Sequence, residues 1–134
     1  MTQLIHVAAT LGVADLLCDA PKNSHELAAA LRVDPQALYR VLRALASIGI
    51  FQETESGWFA LTAQAQPLRT DVPGSLRASA ILYGERWWWQ ACGELLHSVR
   101  TGQPAFDHVH GESLFAYLDH IADAAATFND HQTP

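Results

Sequence analysis

Between Asp34 and Gly49 the apolar residues Leu38, Val41, Leu42, Leu45 and Ile48 recur at steps of three and four, the spacing that places them on one face of an α-helix. Asp34 is positioned to cap that helix and Pro35 to fill its first position, where a missing N–H loses no hydrogen bond. Gly49 ends it. Two short runs follow at once, Ile50-Phe51-Gln52-Glu53 and Trp58-Phe59-Ala60-Leu61, rich in aromatic and branched residues and separated by a polar turn through Gly57. That pattern predicts a β-hairpin. Another helix precedes over 25–31, with Ser24 as its expected cap and Glu26 in its first turn. Helix, turn, helix, hairpin is the order of a winged helix. The expected fold class is therefore mainly α: a helix-turn-helix with a small β-hairpin and further helices on both sides.

The flanks are more apolar than a solvated helix needs. Thr2–Leu11 carries Leu4, Ile5, Val7, Ala8 and Leu11, a helical spacing with a wide apolar face. Gly12 breaks it and a second short piece follows over 13–18. Pieces this apolar need cover, and a partner subunit is the expected source. The stretch 19–23, with Pro21, reads as a turn. Beyond Pro73-Gly74 a helix is expected over 75–83, interrupted by Gly84. The stretch 85–100 reads as one continuous helix burying Trp88, Cys92, Leu95, Leu96 and Val99. After a stop at Thr101-Gly102-Gln103-Pro104, a loop through Phe106 and Gly111 leads to helices over 113–120 and 121–128. The chain divides accordingly into 1–23, a winged-helix core at 24–66, and 67–134.

Composition narrows the function classes. Hydrophobic residues make up 49% of the chain and charged residues 16%, which excludes a disordered tail and leaves apolar surface for a partner. Eight Lys plus Arg stand against fourteen Asp plus Glu, a formal net charge of −6, so a phosphate backbone is repelled on average. Arg40 and Arg43, with Gln36 and Tyr39, sit on the helix that a DNA-binding winged helix would lay in the major groove. The wing, however, carries Glu53 and Glu55. The plainer reading of both arginines is surface pairing with acids, and no nucleic-acid partner is expected. No apolar run reaches the about 18 residues a bilayer span requires, and the N-terminus has no signal-type pattern. A cytoplasmic protein without a membrane partner is expected.

Candidate chemistry is sparse. Cys18 and Cys92 lie in apolar helical runs without ligand-like neighbours and read as buried small hydrophobes. His108-Val109-His110 is an HxH pair, with His120 and His131 further on, but it falls in the expected loop and lacks a third ligand at metal spacing. No metal is expected. His97 reads as a helix C-terminal residue that favours the dipole. His97-Ser98, and Cys92 near Glu94, are the nearest approaches to a nucleophile with a base. Neighbours in a helix point in different directions, and no catalytic residue is assigned.

A longer pattern resembles a known family. Leu11-Gly12-Val13-Ala14-Asp15-Leu16-Leu17, Glu26-Leu27-Ala28, Leu38-Tyr39-Arg40-Val41-Leu42-Arg43-Ala44-Leu45, Ile48-Gly49-Ile50-Phe51 and Phe59-Ala60-Leu61-Thr62 occur in this order. Pro73-Gly74-Ser75-Leu76, Trp88, the run from Leu95 through Gly102, Phe106 and His110-Gly111 continue it. In order and spacing these are similar to the N-terminal region of S-adenosylmethionine-dependent small-molecule O-methyltransferases of secondary metabolism, of the antibiotic-pathway and hydroxyneurosporene type. The resemblance implies an intertwined homodimer and an acceptor pocket partly lined by this region, with 1–23 as N-terminal dimerisation helices and 67–134 as dimerisation and substrate-side helices. It also implies that the winged hairpin is not a DNA reader, and that S-adenosylmethionine belongs to a following Rossmann-like domain. This sequence has no Gly-x-Gly run after a strand, so it is expected to bind no cofactor and transfer no methyl group alone. It reads either as an excised piece or as a relative without catalysis.

Three consecutive tryptophans, Trp87-Trp88-Trp89, carry the one acceptor-side hypothesis. Helical neighbours are about 100° apart, so the three cannot share a face. Trp88 is in phase with Cys92, Leu95 and Val99 and is assigned to the core. Trp87 and Trp89 either pack on neighbouring helices or a partner, or line a pocket for an aromatic or polyketide acceptor with Tyr83 or Phe106. Two rival functions stand beside the O-methyltransferase reading: a stand-alone winged-helix DNA-binding regulator, and a cofactor-free relative that binds an aromatic metabolite.

Overall fold

The structure, a computed structural model, describes residues 1–132, with side chains through residue 130. Helix α1 spans Thr2–Leu11, and Gly12 closes it in the left-handed conformation at φ 76°, its N–H reaching the Ala8 and Ala9 carbonyls. Then come α2 (Val13–Leu16), β1 (Lys22–Asn23), α3 (Ser24–Leu31) and α4 (Pro35–Ala46). The hairpin strands are β2 (Gln52–Glu55) and β3 (Trp58–Ala60). After a short 3-10 turn at Gln66–Leu68, the chain continues as α5 (Arg77–Gly84), α6 (Arg86–Cys92), α7 (Leu95–Thr101), α8 (Ala105–His110), α9 (Leu114–His120) and α10 (Ala122–Gln132). The fold is mainly helical, with one antiparallel sheet in the order β1-β3-β2.

The winged-helix core forms as its sequence predicts. Asp34 caps α4 by accepting the Ala37 N–H at 2.8 Å, and Leu38, Leu42 and Leu45 point inward. They meet Leu27, Phe51 and Phe59, all fully buried, and Tyr39 packs edge-on to Phe59 at 5.9 Å. Each such side chain contributes about 1.5–3 kcal/mol on burial. Details differ at the ends. Helix α4 stops at Ala46, two residues early, and Ile48 is exposed. Asn23 rather than Ser24 caps α3: its Oδ1 accepts the Glu26 N–H and its Nδ2 donates to Glu26 Oε1, both at 2.8 Å. Ser24 is instead the buried first residue of the helix. The stretch 19–23 is not all turn, because Lys22 and Asn23 pair with Phe59 and Trp58 as a third strand.

Helix α1 finds part of its cover within the chain. Its apolar face packs on α5 and α4, and Ala8 and Ala9 are buried. Three side chains tie α1 to α5. Gln3 Nε2 donates to Gly84 O at 3.1 Å, His6 Nδ1 to Ile81 O at 2.8 Å, and Arg77 Nε to Ala9 O at 2.8 Å. Gly84 lets the helices approach, since a Cβ there would overlap the His6 ring and Cβ. Helix α5 covers part of this face, and Leu4, Ile5, Val7 and Leu11 remain only half-buried. Nearby, Asp15 accepts the Thr70 N–H at 2.9 Å and the Thr70 hydroxyl at 2.6 Å. Burial pushes the Asp15 carboxyl up, but the two Thr70 hydrogen bonds, with Arg77 and Arg69, outweigh it and hold it below its ordinary value.

The continuous helix expected over 85–100 is two helices. The backbone turns at Gly93-Glu94 between α6 and α7, and neither helix buries a residue. Cys92, Leu95, Leu96 and Val99 are therefore exposed, and Trp88 is half-buried rather than in the core. Cys18 is also exposed. Trp88, Cys92 and Leu95 still line one cleft across the break, but this chain does not cover it.

Candidate functional site

Helices α6, α8 and α9 bring an aromatic cluster together beside that uncovered face. Trp87 lies at its centre, with ring centroids 5.8 Å from Trp88, 6.2 Å from Phe106 and 5.9 Å from Tyr117. Phe106 packs edge-on to Tyr117 at 5.5 Å. His110 closes the group, 4.4 Å from Phe106 and 4.7 Å from Tyr117. Its Nε2 lies 2.8 Å from the Trp87 carbonyl. A carbonyl oxygen only accepts, so Nε2 carries the proton and ties α8 to α6. The edge-to-face pairs are the favoured arrangement for aromatic quadrupoles.

Next to this cluster is an open apolar cleft of about 260 Å³, walled by Trp88, Cys92, Leu95, Ala105, Phe106 and Leu114. On the same helices, Leu95 at the cleft is 64% exposed, and Leu96 57%, Val99 74% and Phe115 69%. Large exposed apolar side chains beside an apolar cleft are the features of a contact surface.

Of the four acceptor-side candidates, Trp87 and Phe106 are in mutual contact. Tyr83 stands one ring away, 5.4 Å from Trp88. Trp89 is 42% exposed and has no aromatic neighbour among the described residues. Two further members carry no signal in the sequence: Tyr117 sits on the separate helix α9, and His110 falls in a segment expected to be a loop. The segment holding His108 and His110 is helix α8, because Phe106 and His110 have a cluster to pack into. His97 lies in the first turn of α7, since the helix breaks before it. Its ring stacks on His108 at 3.8 Å and 12° instead of serving a helix C-terminus. Among the described residues no group of three or more His, Cys, Asp or Glu is arranged to hold a metal. His131 lies outside the residues whose side chains are described.

The S-adenosylmethionine that the resemblance implies does not fit the described residues. Its usual cradle is a parallel strand leading through a glycine-rich turn into a helix N-terminus. The strands here are antiparallel and two to four residues long. The winged-helix face also differs from its sequence reading. Arg40 and Arg43 are exposed and make no ion pair among the described residues. Glu53 accepts the Tyr39 hydroxyl at 3.1 Å and the Gly57 N–H at 2.9 Å. No helix among the described residues is long and apolar enough to cross a membrane.

Comparison with known proteins bears on the same region. The chain is 46% identical over 132 residues to the phenazine O-methyltransferase PhzM of Lysobacter antibioticus, covering 98% of this chain and 38% of that protein. Its fold superposes on the crystal structure of LaPhzM with a TM-score of 0.87 and 46% identity, over 98% of this chain and 39% of that one. It also superposes on CalO1, a methyltransferase in calicheamicin biosynthesis solved in an SAH-bound form. There the TM-score is 0.85 at 36% identity, over 98% of this chain and 39% of that one. The chain thus spans well under half the length of these relatives. Residues 1–71 match the O-methyltransferase dimerisation domain. That match covers more than half of the chain, and this protein belongs to the O-methyltransferase dimerisation domain family.

Proposed function

We propose that this chain is the subunit-pairing and acceptor-side part of an S-adenosylmethionine-dependent O-methyltransferase that modifies a flat aromatic metabolite. It pairs with a second copy of itself through the uncovered face of α6, α7 and α9. The single observation that carries the reading is the exposure of these helices: α6 and α7 have no buried residue, and Leu95, Leu96, Val99 and Phe115 are exposed. An apolar surface of this kind in water is stabilised by about 25 cal/mol for each Å² it covers, and a symmetric dimer covers two copies at once.

Trp87 and Phe106, with Tyr83 and Trp89 on the flanks, form the acceptor-side wall. Flat aromatic acceptors suit them through offset and edge-on stacking. A phenazine O-methyltransferase among the relatives supports an aromatic acceptor, and the SAH-bound relative supports S-adenosylmethionine as donor. This chain alone binds no donor and transfers no methyl group. Both flanks, 1–23 and 67–134, belong to the pairing unit around a winged-helix core at 24–66, and the uncovered surface is on the second flank. The protein works in the cytoplasm, without nucleic acid or membrane.

Sedimentation velocity over a dilution series tests pairing, and titration with 2-naphthol, a neutral phenolic probe, tests the wall. A species of twice 14.7 kDa that gives way to monomer on dilution is expected. Saturable tryptophan quenching that Trp87→Phe weakens, with pairing unchanged, is expected as well. Monomer throughout contradicts the pairing. Quenching indifferent to both Trp87→Phe and Trp89→Phe contradicts the wall.

A further inference from the structure

We infer that the groove between α3, α4 and the hairpin is a binding site for a small planar anion of the aromatic carboxylate class. The groove holds about 660 Å³, within the range of small-molecule sites. Its wall is formed by the start of α3 (Asn23, His25), one side of α4 (Gln36, Tyr39, Arg40) and the hairpin tip (Trp58).

The hydrogen-bond inventory leaves this wall with free donors. Of four acids close by in the chain, three accept hydrogen bonds, and all four keep their charge. Glu26 is held by Asn23, Asp34 caps α4 through the Ala37 N–H, and Glu53 accepts from the Tyr39 hydroxyl and the Gly57 N–H. Glu55 stands opposite Trp58 in the hairpin ladder but is not part of the groove wall. Arg40, by contrast, has no hydrogen bond or ion pair among the described residues, and neither has His25 or the Gln36 side chain. The unengaged groups in the wall are therefore a guanidinium, an imidazole and an amide. A guanidinium binds a carboxylate through two parallel N–H···O bonds.

Trp58 supplies the second half of the recognition. Its backbone is pinned on both sides by β1 and β2, yet the residue is 37% exposed. An exposed indole and an unpaired guanidinium that line the same groove suit an aromatic ring that carries an anionic group: the ring stacks on the indole and the anion meets Arg40. A net charge of −6 disfavours a polyanion such as nucleic acid while leaving a single carboxylate bindable. This site is separate from the cluster around Trp87 and stands whether or not that cluster takes an acceptor.

The test is NMR titration of ¹⁵N-labelled protein with sodium 2-naphthoate, using neutral 2-naphthamide as control, on wild type, Arg40→Gln and Arg43→Gln. Naphthoate is expected to shift the Trp58 indole and the Gln36, Tyr39 and Gly57 amides saturably, and naphthamide to leave them in place. Arg40→Gln should weaken binding about tenfold or more, the loss of a charge-assisted pair. Arg43→Gln removes the same charge from the same helix outside the groove and should leave affinity within about twofold. Naphthoate shifts confined to Trp87 and Trp88, equal weakening by both arginine variants, or full binding to Arg40→Gln would each overturn the proposal. So would tighter binding of a short oligothymidylate at the same residues.

Discussion

Replacing Gly84 by alanine isolates the contact that joins the first helix to the fifth. The added Cβ would overlap Cβ, Cγ and Nδ1 of His6, and the flanking tethers, His6 to Ile81 O and Gln3 to Gly84 O, leave little slack. Forcing a methyl into such a contact costs about 1–3 kcal/mol. Displacing His6 also loses a hydrogen bond worth about 1 kcal/mol. Alanine recovers part of its helix preference over glycine, at most about 1 kcal/mol and less at the last residue of a helix. The net loss should be about 2–3 kcal/mol, which lowers the urea midpoint by about 1–2 M for a domain of this size. Protein concentration must be held fixed, because pairing adds to apparent stability. In a His6→Gly background, which removes all three overlapping atoms, the same substitution should cost much less, giving a coupling of about 1 kcal/mol or more. Gly93→Ala is the control: it is exposed, its φ of −64° suits alanine, and its stability should stay within about 0.5 kcal/mol of wild type. If Gly84→Ala also stays within that limit, the helices do not pack as described.

Two further substitutions probe the hydrogen bonds that shape the core. Asp34→Ala removes the α4 cap and should cost about 1 kcal/mol in urea unfolding; no change would mean that the Ala37 N–H is equally well solvated. Asp15 is held below its ordinary 3.8 in the fold, so the unfolded chain binds the proton more readily. Its contribution is fully present above about pH 5 and is lost as pH falls below about 4. The stability gap between wild type and Asp15→Asn should therefore be level near neutrality and shrink in acid, and a gap that widens in acid would reverse the sign of this argument.

The winged-helix core was legible because its signals are local. Asp34-Pro35, the Leu38–Leu42–Leu45 face and Gly57 each specify their own turn or helix, and they agree with one another. Strand β1 was not legible: a two-residue strand has no periodicity, and Lys22 and Asn23 are extended only because β3 offers them an edge. The break at Gly93 was hidden by the in-phase apolar residues on either side of it. Those residues report a face but not what covers it, which is why Cys92, Leu95 and Val99 read as core. The aromatic cluster was half legible. Trp87 and Phe106 stood out as aromatics without a helical face to share, whereas Tyr117 and His110 joined them through tertiary packing that a single-chain pattern does not carry.

The most direct test of the account is the solution mass of the protein with and without its uncovered apolar face. Multi-angle light scattering at micromolar concentration should give twice 14.7 kDa for wild type and 14.7 kDa for Leu95→Glu/Val99→Glu. Both side chains are already exposed in the single chain, so the circular dichroism of the double variant should match that of wild type. A wild-type monomer at that concentration, or a folded double variant that still pairs, would contradict the claim that α6, α7 and α9 form the pairing surface.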